Sequence, residues 1–371
     1  MVGFTVYDTA LYPTVFAISM NKEFLPHVKV VLGGPSMSLD YCQTHLLKEF
    51  KAGLIDVAVL KEGEITLVEL VKKWRVDENI NEVTGLLMPK QGSIVSTGSR
   101  ILANLNETPM PDFSDLNLNN YRYKAIPTLM SKGCVAQCIF CSEVTYWERF
   151  RFRDTDLILE EIKNHVAEYN INHVMFLDSL INGHHRHLEE LVGLILDDGL
   201  KISFNGNARV SNRLTKSLIE QMSAAGCSDL VFGLESGSQK VSDLMKKGIK
   251  LEWADENFKD CFKNNIGVIL NIIIGYPGES EEDFQQTLDL IDRYKKCITH
   301  VNVGNGLAIY KGMSLYPIAA KLGVASDEQG EVIFDENENW SMADGSSDIN
   351  TRRLRISRLR NFLASKNMNY S

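Results

Sequence analysis

Three cysteines lie close together in the stretch SKGCVAQCIFCSE at residues 131–143. Cys134, Cys138 and Cys141 follow the spacing C-x3-C-x2-C. Three thiolates cannot complete a tetrahedral zinc site without a fourth ligand, for which Cys227 or a histidine is a candidate. An iron–sulfur cluster normally takes four cysteines, so three would leave one iron open to bind a second molecule. The spacing therefore predicts a metal centre and leaves the choice of metal open.

The elements that position these cysteines alternate between strand and helix patterns. From residue 125 onward, six apolar strand segments are separated by helical segments, which is typical of a partial (β/α)6 TIM-like barrel. The cysteines follow the first of these strands, at the end where such barrels place their active sites. We predict strands within 126–133, 173–179, 201–210, 229–236, 268–279 and 300–310.

Polar residues also occur where these predicted strands end. Asn205 and Arg209 are polar residues at alternating positions of a strand that is otherwise predicted to be buried. We expect their side chains to point into the barrel mouth. Glu235 ends another buried strand, and a buried carboxylate needs a partner. A salt bridge from Arg209 to a neighbouring helix is an equally simple alternative to a ligand contact.

The N-terminal part, residues 1–104, predicts an incomplete Rossmann-like domain with a parallel sheet. Its first strand begins at the first residue, which suggests the back half of a domain whose first half is absent. Residues 105–124 are rich in Pro, Asn and Asp and predict a linker. We predict the barrel over 125–330 and a C-terminal helical segment over 331–371.

The cysteine spacing after a first barrel strand resembles the signature of the radical S-adenosylmethionine (SAM) superfamily. The resemblance implies that Cys134, Cys138 and Cys141 hold a [4Fe-4S] cluster whose fourth iron binds the amino and carboxylate groups of SAM. It places Phe140, the residue before the last cysteine, near the adenine. The segments GLESGSQKVSDLMKKG (233–248) and NIIIGYPGES (271–280) are similar to the family's motifs on the fourth and fifth strands.

The resemblance also implies which strand-end residues contact SAM. Asp178 and Asn182 stand where the family often has a Gly-Gly-Glu segment, which this chain lacks. Capping of the next helix is the alternative for Asp178, and a helix cap is the alternative for Ser236. The candidate SAM-binding residues are Phe140, Asp178, Asn182, Asn205, Arg209, Glu235, Ser236, Asn271 and Gly275.

Residues 1–104 resemble the cobalamin-binding domain that is fused to one large branch of the superfamily. The resemblance implies that Thr5, Gly33 and Gly34 bracket the nucleotide tail of cobalamin. In the family a Gly-Glu-Gly-Glu segment follows, and here Lys61 replaces its first Gly. Two earlier strands of the family's domain are missing, so we expect weak cobalamin binding or none unless a partner completes the sheet.

Composition limits the remaining possibilities. The formal net charge of -9 argues against a nucleic-acid partner. The longest apolar run is too short for a membrane helix, and no signal peptide pattern is present, so we expect a cytoplasmic protein with reduced thiols. The arginine-rich run 351–360 is expected to form a solvated or acid-paired face of a C-terminal helix, and contact with a phosphate or acidic group is the alternative.

These observations favour a radical SAM enzyme that forms a 5′-deoxyadenosyl radical, with methyl transfer as the reaction if cobalamin is bound. The resemblance implies a small-molecule or peptide substrate and an electron donor such as flavodoxin or ferredoxin. Two alternatives stay open: a non-catalytic zinc or iron–sulfur protein, and a truncated, inactive homologue.

Overall fold

The computed structural model describes residues 1–7, 10–90, 93–304 and 306–371. The chain divides into two compact units, which are described separately below. Unit 1 comprises Met1–Pro109, Thr145–Glu148 and Tyr310–Met313, and unit 2 comprises Met110–Val144, Arg149–Ile309 and Ser314–Ser371.

Unit 1 contains a five-stranded sheet in the order β1-β2-β3-β4-β5. The first three strands are parallel and are joined by helices, as the alternating pattern predicts. β1 lies at the edge of the sheet and pairs only with β2 among the described strands. The elements are β1 (Val2–Thr5), α1 (Leu11–Phe24), β2 (Val30–Gly33), α2 (Asp40–His45), α3 (Leu47–Lys51), β3 (Val57–Val59), α4 (Glu64–Arg75), β4 (Leu86–Lys90) and β5 (Ser93–Ser96).

The sheet of unit 1 is mixed rather than purely parallel. β4 runs antiparallel to β3, and β5 runs antiparallel to β4. Neither strand was predicted from the sequence, and β4 contains Pro89, a residue that normally argues against a strand. Residues 91–92, between the two strands, lie outside the described part of the chain.

Unit 2 is built on a six-stranded parallel sheet in the order β13-β12-β11-β10-β9-β6, so each predicted strand lies beside the next one in the chain. This order confirms the predicted partial (β/α)6 arrangement, and the two edge strands do not pair with each other within the described residues. A short antiparallel pair, β7 (Ser131–Lys132) and β8 (Arg151–Phe152), flanks the cysteine loop. The sheet strands are β6 (Ile126–Thr128), β9 (His173–Phe176), β10 (Ser203–Ala208), β11 (Cys227–Glu235), β12 (Gly267–Ile272) and β13 (Ile298–Val303).

The helices of unit 2 begin and end at residues whose chemistry favours these positions. Asn170 and Gly199 end α6 and α7 in the left-handed conformation that these residue types adopt most readily. Ser280 and Asp283 form a capping box at the start of α11. The helices after the cysteine loop are α5 (Glu143–Trp147), α6 (Thr155–Tyr169), α7 (His185–Asp198), α8 (Lys216–Ala224), α9 (Gln239–Leu244), α10 (Glu252–Lys263), α11 (Glu281–Tyr294) and α12 (Ile349–Ser365).

The two faces of the six-stranded sheet differ in burial. The outer face packs against the helices through fully buried side chains such as Phe204, Phe232 and Leu270. The inner face is only partly buried, and Leu177 after β9 is 52% exposed. TIM barrels normally fill this space with side chains, so the inner face of this sheet leaves room for ligands.

The end of the chain lies along the edge of the same sheet. Tyr370 pairs in parallel with Val301 of β13, and Ser371 exchanges backbone hydrogen bonds with Val301 and Val303. α12 precedes this contact and packs into the core of unit 2 through Ile356, Leu359 and Leu363. The C-terminal segment is therefore part of unit 2.

Candidate functional site

A pocket of about 340 Å³ lies at the carboxyl ends of the strands of unit 2. All three cysteines of the predicted metal centre line it. The described residues that line it also include Phe140, Glu143, Leu177, Asp178, Ser179, Asn207, Arg209, Val231, Gly233, Glu235, Lys247 and Asn271.

The cysteine loop is held by its own turn and by the segment after α9. The backbone N–H of Cys141 donates to the carbonyl of Cys138 at 3.2 Å. The backbone N–H of Ile139 donates to the carbonyl of Met245, also at 3.2 Å. Gly133 has a φ of +87°, and a Cβ there would lie 2.6 Å from the carbonyl oxygen of Arg149. Close packing inside unit 2 therefore requires this glycine.

The donor set suits an iron–sulfur cluster. Burial raises the pKa of the Cys134 thiol and raises the pKa of the Cys141 thiol to about 12. Binding of a metal needs the thiolate form, which a cationic iron centre would stabilise in this setting. Over the described residues, no three His, Cys, Asp or Glu side chains converge closely enough to hold a single metal ion. The three thiols line the pocket instead of meeting at one point.

The Glu235 carboxylate, predicted to need a partner, has one. Lys247 Nζ lies 3.1 Å from Glu235 Oε1, and both side chains are about one-tenth exposed. Burial raises the pKa of Glu235, whereas the Lys247 charge and hydrogen bond lower it. Gly233 makes room for this pair, because a Cβ there would lie 2.9 Å from the carboxylate. Glu235 has a φ of +66°, a conformation unusual for a residue with a side chain.

Arg209 and Asn182 bind mainly to each other and to backbone groups. Asn182 donates to the Arg209 carbonyl at 2.8 Å, and the Arg209 N–H donates to Asn182 Oδ1 at 3.1 Å. The Arg209 guanidinium donates to the carbonyls of Lys247 and Gly248 at 2.9 and 2.7 Å. These contacts tie the end of β10 to the segment after α9. A role of either residue in binding SAM stays a prediction.

Asp178 is fully buried and binds the beginning of the cysteine segment. Its carboxylate accepts from the N–H groups of Met130 and Ser131 and from the Ser131 hydroxyl. Burial raises the pKa of Asp178 to about 6 despite these hydrogen bonds. The carboxylate holds β7 in place next to Gly133 and Cys134 rather than capping the next helix, and its predicted contact with SAM stays a prediction.

The asparagines of the inner face lie on three strands. Asn271 on β12 accepts from the side-chain amide of Asn302 on β13 at 2.8 Å. Asn207 on β10 donates to the Asp178 carbonyl at 3.0 Å. Asn205 Oδ1 is buried and has no hydrogen-bond partner among the described residues. These amides give the inner face polar groups without charge.

Two further candidates have packing roles in the structure. Ser236 is fully buried, and its hydroxyl accepts from the N–H of Ser238 at 3.1 Å. Gly275 has a φ of +77°, and a Cβ there would lie 2.4 Å from Cγ of Arg352. The described lining of the pocket includes Phe140, Asp178, Arg209, Glu235 and Asn271, and it does not include Asn182, Asn205, Ser236 or Gly275.

Two charged residues of the pocket were not predicted from the sequence. Lys247 pairs with Glu235 and lies 5.6 Å above the Phe140 ring. Glu143 lines the pocket and accepts a hydrogen bond from the Ser179 hydroxyl. The expected burial of Glu235 was a signal that a nearby cation had to exist, although the sequence did not say which one.

In unit 1, the three residues implied for cobalamin do lie together. Thr5 and Gly33 are register partners at the ends of β1 and β2. A Cβ on Gly34 would lie 2.8 Å from Thr5 Cγ2, whereas a Cβ on Gly33 would meet nothing within 4 Å. Lys61 adopts a φ of +56°, which is consistent with glycine in the related segment. A separate pocket of about 110 Å³ in unit 1 has a described lining that includes Lys61 and none of these three residues.

Comparison with known proteins identifies the domain around the cysteines. Residues 128–291 match the Radical SAM superfamily. Residues 128–291 are a radical SAM domain. The resemblance to this superfamily is thereby confirmed, and its members use a [4Fe-4S] cluster and SAM.

Curated relatives cover most of the chain. The chain is 27% identical over 293 residues to an uncharacterized methyltransferase of Pyrococcus horikoshii, covering 78% of this chain and 63% of that protein. It is 28% identical over 298 residues to an anaerobic magnesium-protoporphyrin IX monomethyl ester cyclase of Cereibacter sphaeroides, covering 76% of this chain and 48% of that protein. The chain therefore spans between about half and just under two thirds of the length of these relatives.

Solved structures share the fold. The radical SAM methyltransferase TsrM from Kitasatospora setae, with cobalamin and a [4Fe-4S] cluster bound, matches with a TM-score of 0.74 at 16% identity, covering 97% of this chain and 78% of that one. The cobalamin-dependent SAM radical enzyme OxsB matches with a TM-score of 0.72 at 16% identity, covering 99% of this chain and 58% of that one. At this identity the likeness establishes the fold.

No helix in the described part of the chain has both the length and the hydrophobicity that crossing a membrane demands.

Proposed function

We propose that this chain is a radical SAM enzyme whose active site is the cysteine-lined pocket of unit 2. The observation that carries the proposal is that Cys134, Cys138 and Cys141 line one pocket together with the buried pair of Glu235 and Lys247. The pocket lies at the strand ends where barrels of this kind place their chemistry. Its volume of about 340 Å³ is of the size that small-molecule sites have.

The chain's own residues would divide the work of binding. The three thiolates would hold the cluster, and the Lys247 ammonium and the Glu235 carboxylate would bind polar groups of SAM. Phe140 offers an aromatic face to the adenine. When bound, a [4Fe-4S] cluster supplies one electron to the sulfonium of SAM, whose C5′–S bond breaks to give methionine and a 5′-deoxyadenosyl radical. The pocket residues orient SAM and exclude water.

We further propose methyl transfer to a small molecule or a peptide as the overall reaction when cobalamin is bound. The curated relative from Pyrococcus horikoshii is named a methyltransferase, which supports this class. The inner face offers uncharged amides and the exposed Leu177 to a substrate. An electron donor such as flavodoxin or ferredoxin would supply the reducing equivalent, and pocket thiols that must stay reduced fit the cytoplasm.

A nucleic-acid substrate is disfavoured in this proposal. The net charge is -9, and arginines of the basic run 351–360 are engaged in ion pairs. Arg355 pairs with Glu279, and Arg358 pairs with Glu281 at 2.6 Å. This run is therefore a structural part of α12.

Cobalamin is proposed to bind unit 1 weakly when the chain is alone. Thr5, Gly33 and Gly34 form a small surface at the end of β1 and β2, and Thr5 is exposed on the edge strand. The measurement is the corrinoid absorption spectrum after incubation with cobalamin and gel filtration. Retention of about one cobalamin per chain would contradict this proposal.

The test of the main proposal is anaerobic reconstitution followed by addition of SAM and dithionite. We expect about four irons per chain and formation of 5′-deoxyadenosine, measured by mass spectrometry. Cys138→Ala should lose the product. Cys297→Ala, which changes a thiol outside the pocket, is the matched control and should retain it.

Two results would overturn the proposal. The first is a protein that binds one zinc and little iron. The second is a protein that holds its full iron content and forms no 5′-deoxyadenosine.

A further inference from the structure

The turn that follows β12 is clamped from behind by α12. Arg355 on α12 lies 3.1 Å from Glu279 Oε2, and the exposed fractions of the two side chains are 7% and 0%. Arg355 also donates to the carbonyl of Glu279 at 3.2 Å. The same carboxylate accepts from the N–H of Gly275 at 2.8 Å. One buried ion pair therefore holds both ends of the turn 275–279.

A second arginine of the same helix fixes the first residue of the turn. Arg352 packs against Gly275 so closely that a Cβ there would lie 2.4 Å from its Cγ. Its guanidinium lies 3.9 Å from the centre of the Trp340 ring and donates to the Trp340 carbonyl at 2.8 Å. Arg352 is 2% exposed, so its position is set by packing on every side.

The turn 275–279 also contacts the cysteine loop. Tyr276 is 1% exposed, and its ring lies edge-on to the Phe140 ring with 6.4 Å between the ring centres. Phe140 lies between Cys138 and Cys141 in the chain and lines the pocket. A continuous set of buried contacts thus runs from α12 through Tyr276 to the pocket wall.

We propose that Arg352 and Arg355 are positioning residues for SAM binding, acting through the turn 275–279 on Phe140. The inference rests on the proposed function of the pocket. Neither arginine is among the described residues that line the pocket, so any effect on SAM must pass through the turn. In this proposal, two arginines of the run 351–360 support the binding of SAM in the pocket.

The experiment compares substitutions within α12 in the full chain after anaerobic reconstitution. Arg355→Met removes the guanidinium and keeps the length of the stem. Glu279→Gln with Arg355→Met removes both charges, which avoids an unpaired buried charge that could unfold the protein. Arg358→Met is the matched control, because Arg358 is 42% exposed and pairs with Glu281. Arg355→Lys restores the charge.

The readouts are the SAM dissociation constant by equilibrium dialysis, the iron content, the unfolding midpoint and hydrogen–deuterium exchange of residues 273–280. We expect the Arg355→Met and double variants to weaken SAM binding by about tenfold or more, because small misplacements of binding groups are costly. Exchange in 273–280 should accelerate in the same variants. Arg355→Lys should recover part of the affinity, and Arg358→Met should stay within about twofold of the native protein.

The outcomes separate this inference from the proposed function. Native protein that binds SAM together with a folded double variant that binds SAM equally well would overturn this inference alone. Native protein that holds no cluster and binds no SAM would overturn the proposed function and this inference together. Accelerated exchange without weaker SAM binding would show that the clamp exists and does not serve the pocket.

Discussion

The cysteine pocket of unit 2 and the Thr5 surface of unit 1 both lie at the ends of parallel strands, yet they differ in how their polar groups are held. In the pocket, Glu235 and Lys247 are paired and about one-tenth exposed. In unit 1, Thr5 is exposed on an edge strand, and the position of Gly33 faces open space.

This difference bears on how each surface could hold a ligand. Side chains already fixed by burial lose little further freedom when a ligand arrives, so the pocket is preorganised. The Thr5 surface offers a backbone that a ligand could approach but few fixed side chains. We therefore expect substitutions at the pocket to cost more stability than those at the Thr5 surface.

The sharpest test of this expectation is Lys247→Met. It leaves Glu235 as an unpaired buried carboxylate, and breaking such a pair costs about 3–5 kcal/mol in the free energy of unfolding. The cost should be smaller near about pH 5 than at neutral pH, because the Glu235 carboxylate takes up a proton more readily there. Burial already raises the pKa of this carboxylate. Urea denaturation measures the change.

Two variants control for this result. Lys250→Met removes a charge whose ion pair is exposed and should cost less than about 1 kcal/mol. Glu235→Gln with Lys247→Met should recover most of the stability. If Lys247→Met costs no more than Lys250→Met, the pocket is not held by its buried pair.

A smaller effect is expected at the adjacent glycines of unit 1. Gly34 has φ of 96° and ψ of 172°, a conformation essentially restricted to glycine, and a Cβ there would meet Thr5 and Val6 at 2.8–3.0 Å. Gly34→Ala should cost about 1–3 kcal/mol. Gly33→Ala should change stability by less than about 1 kcal/mol, because nothing lies within 4 Å of its Cβ position. Equal costs at the two positions would show that the surface is packed throughout.

The sequence predicted the six-stranded sheet well, because β-branched residues or an alternating pattern mark its strands. It predicted that the cysteines would lie together, since they are close in the chain. It did not predict β4 and β5 of unit 1, where Pro89 weakens the strand pattern. Local sequence patterns are therefore enough to predict a strand only where the residues of that strand favour it by themselves.

The partners of the site residues were harder to predict, because they come from distant parts of the chain. Lys240, Lys246, Lys247 and Lys250 all follow Glu235, and only the turn at Lys246, with its φ of +52°, presents Lys247 to the carboxylate. Gly275 was predicted to bind SAM, which stays a prediction, and the sequence did not show that Arg352 packs against this glycine. Periodicity gives the face on which a residue lies, and packing decides what it touches there.

The last prediction is a difference in pH dependence between two carboxylates. Burial raises the pKa of Glu279 to about 7, against the opposing hydrogen bond from Gly275 and the charge of Arg355. In unit 1, the pKa of Asp56 is lowered overall. Burial raises this pKa, but the hydrogen bonds from the Val30 N–H and from Lys29 and Lys22 lower it by more. The two groups should therefore act in different ranges of pH.

The sign follows from which state binds the proton more tightly. Folded Glu279 binds it more tightly than the unfolded chain, so its contribution to stability is complete below the ordinary pKa of 4.5 and is lost as pH rises through about 7. The contribution of Asp56 is complete above its ordinary pKa of 3.8 and is lost at lower pH. Between about pH 5 and about pH 8, Glu279→Gln should remove roughly 1–3 kcal/mol of the pH dependence of unfolding, and Asp56→Asn should leave the slope unchanged. Urea denaturation followed by tryptophan fluorescence at each pH measures both slopes. A Glu279→Gln slope equal to that of the native protein would mean that the buried pair with Arg355 stays ionised throughout this range, which would extend the preorganisation of the pocket to the turn behind it.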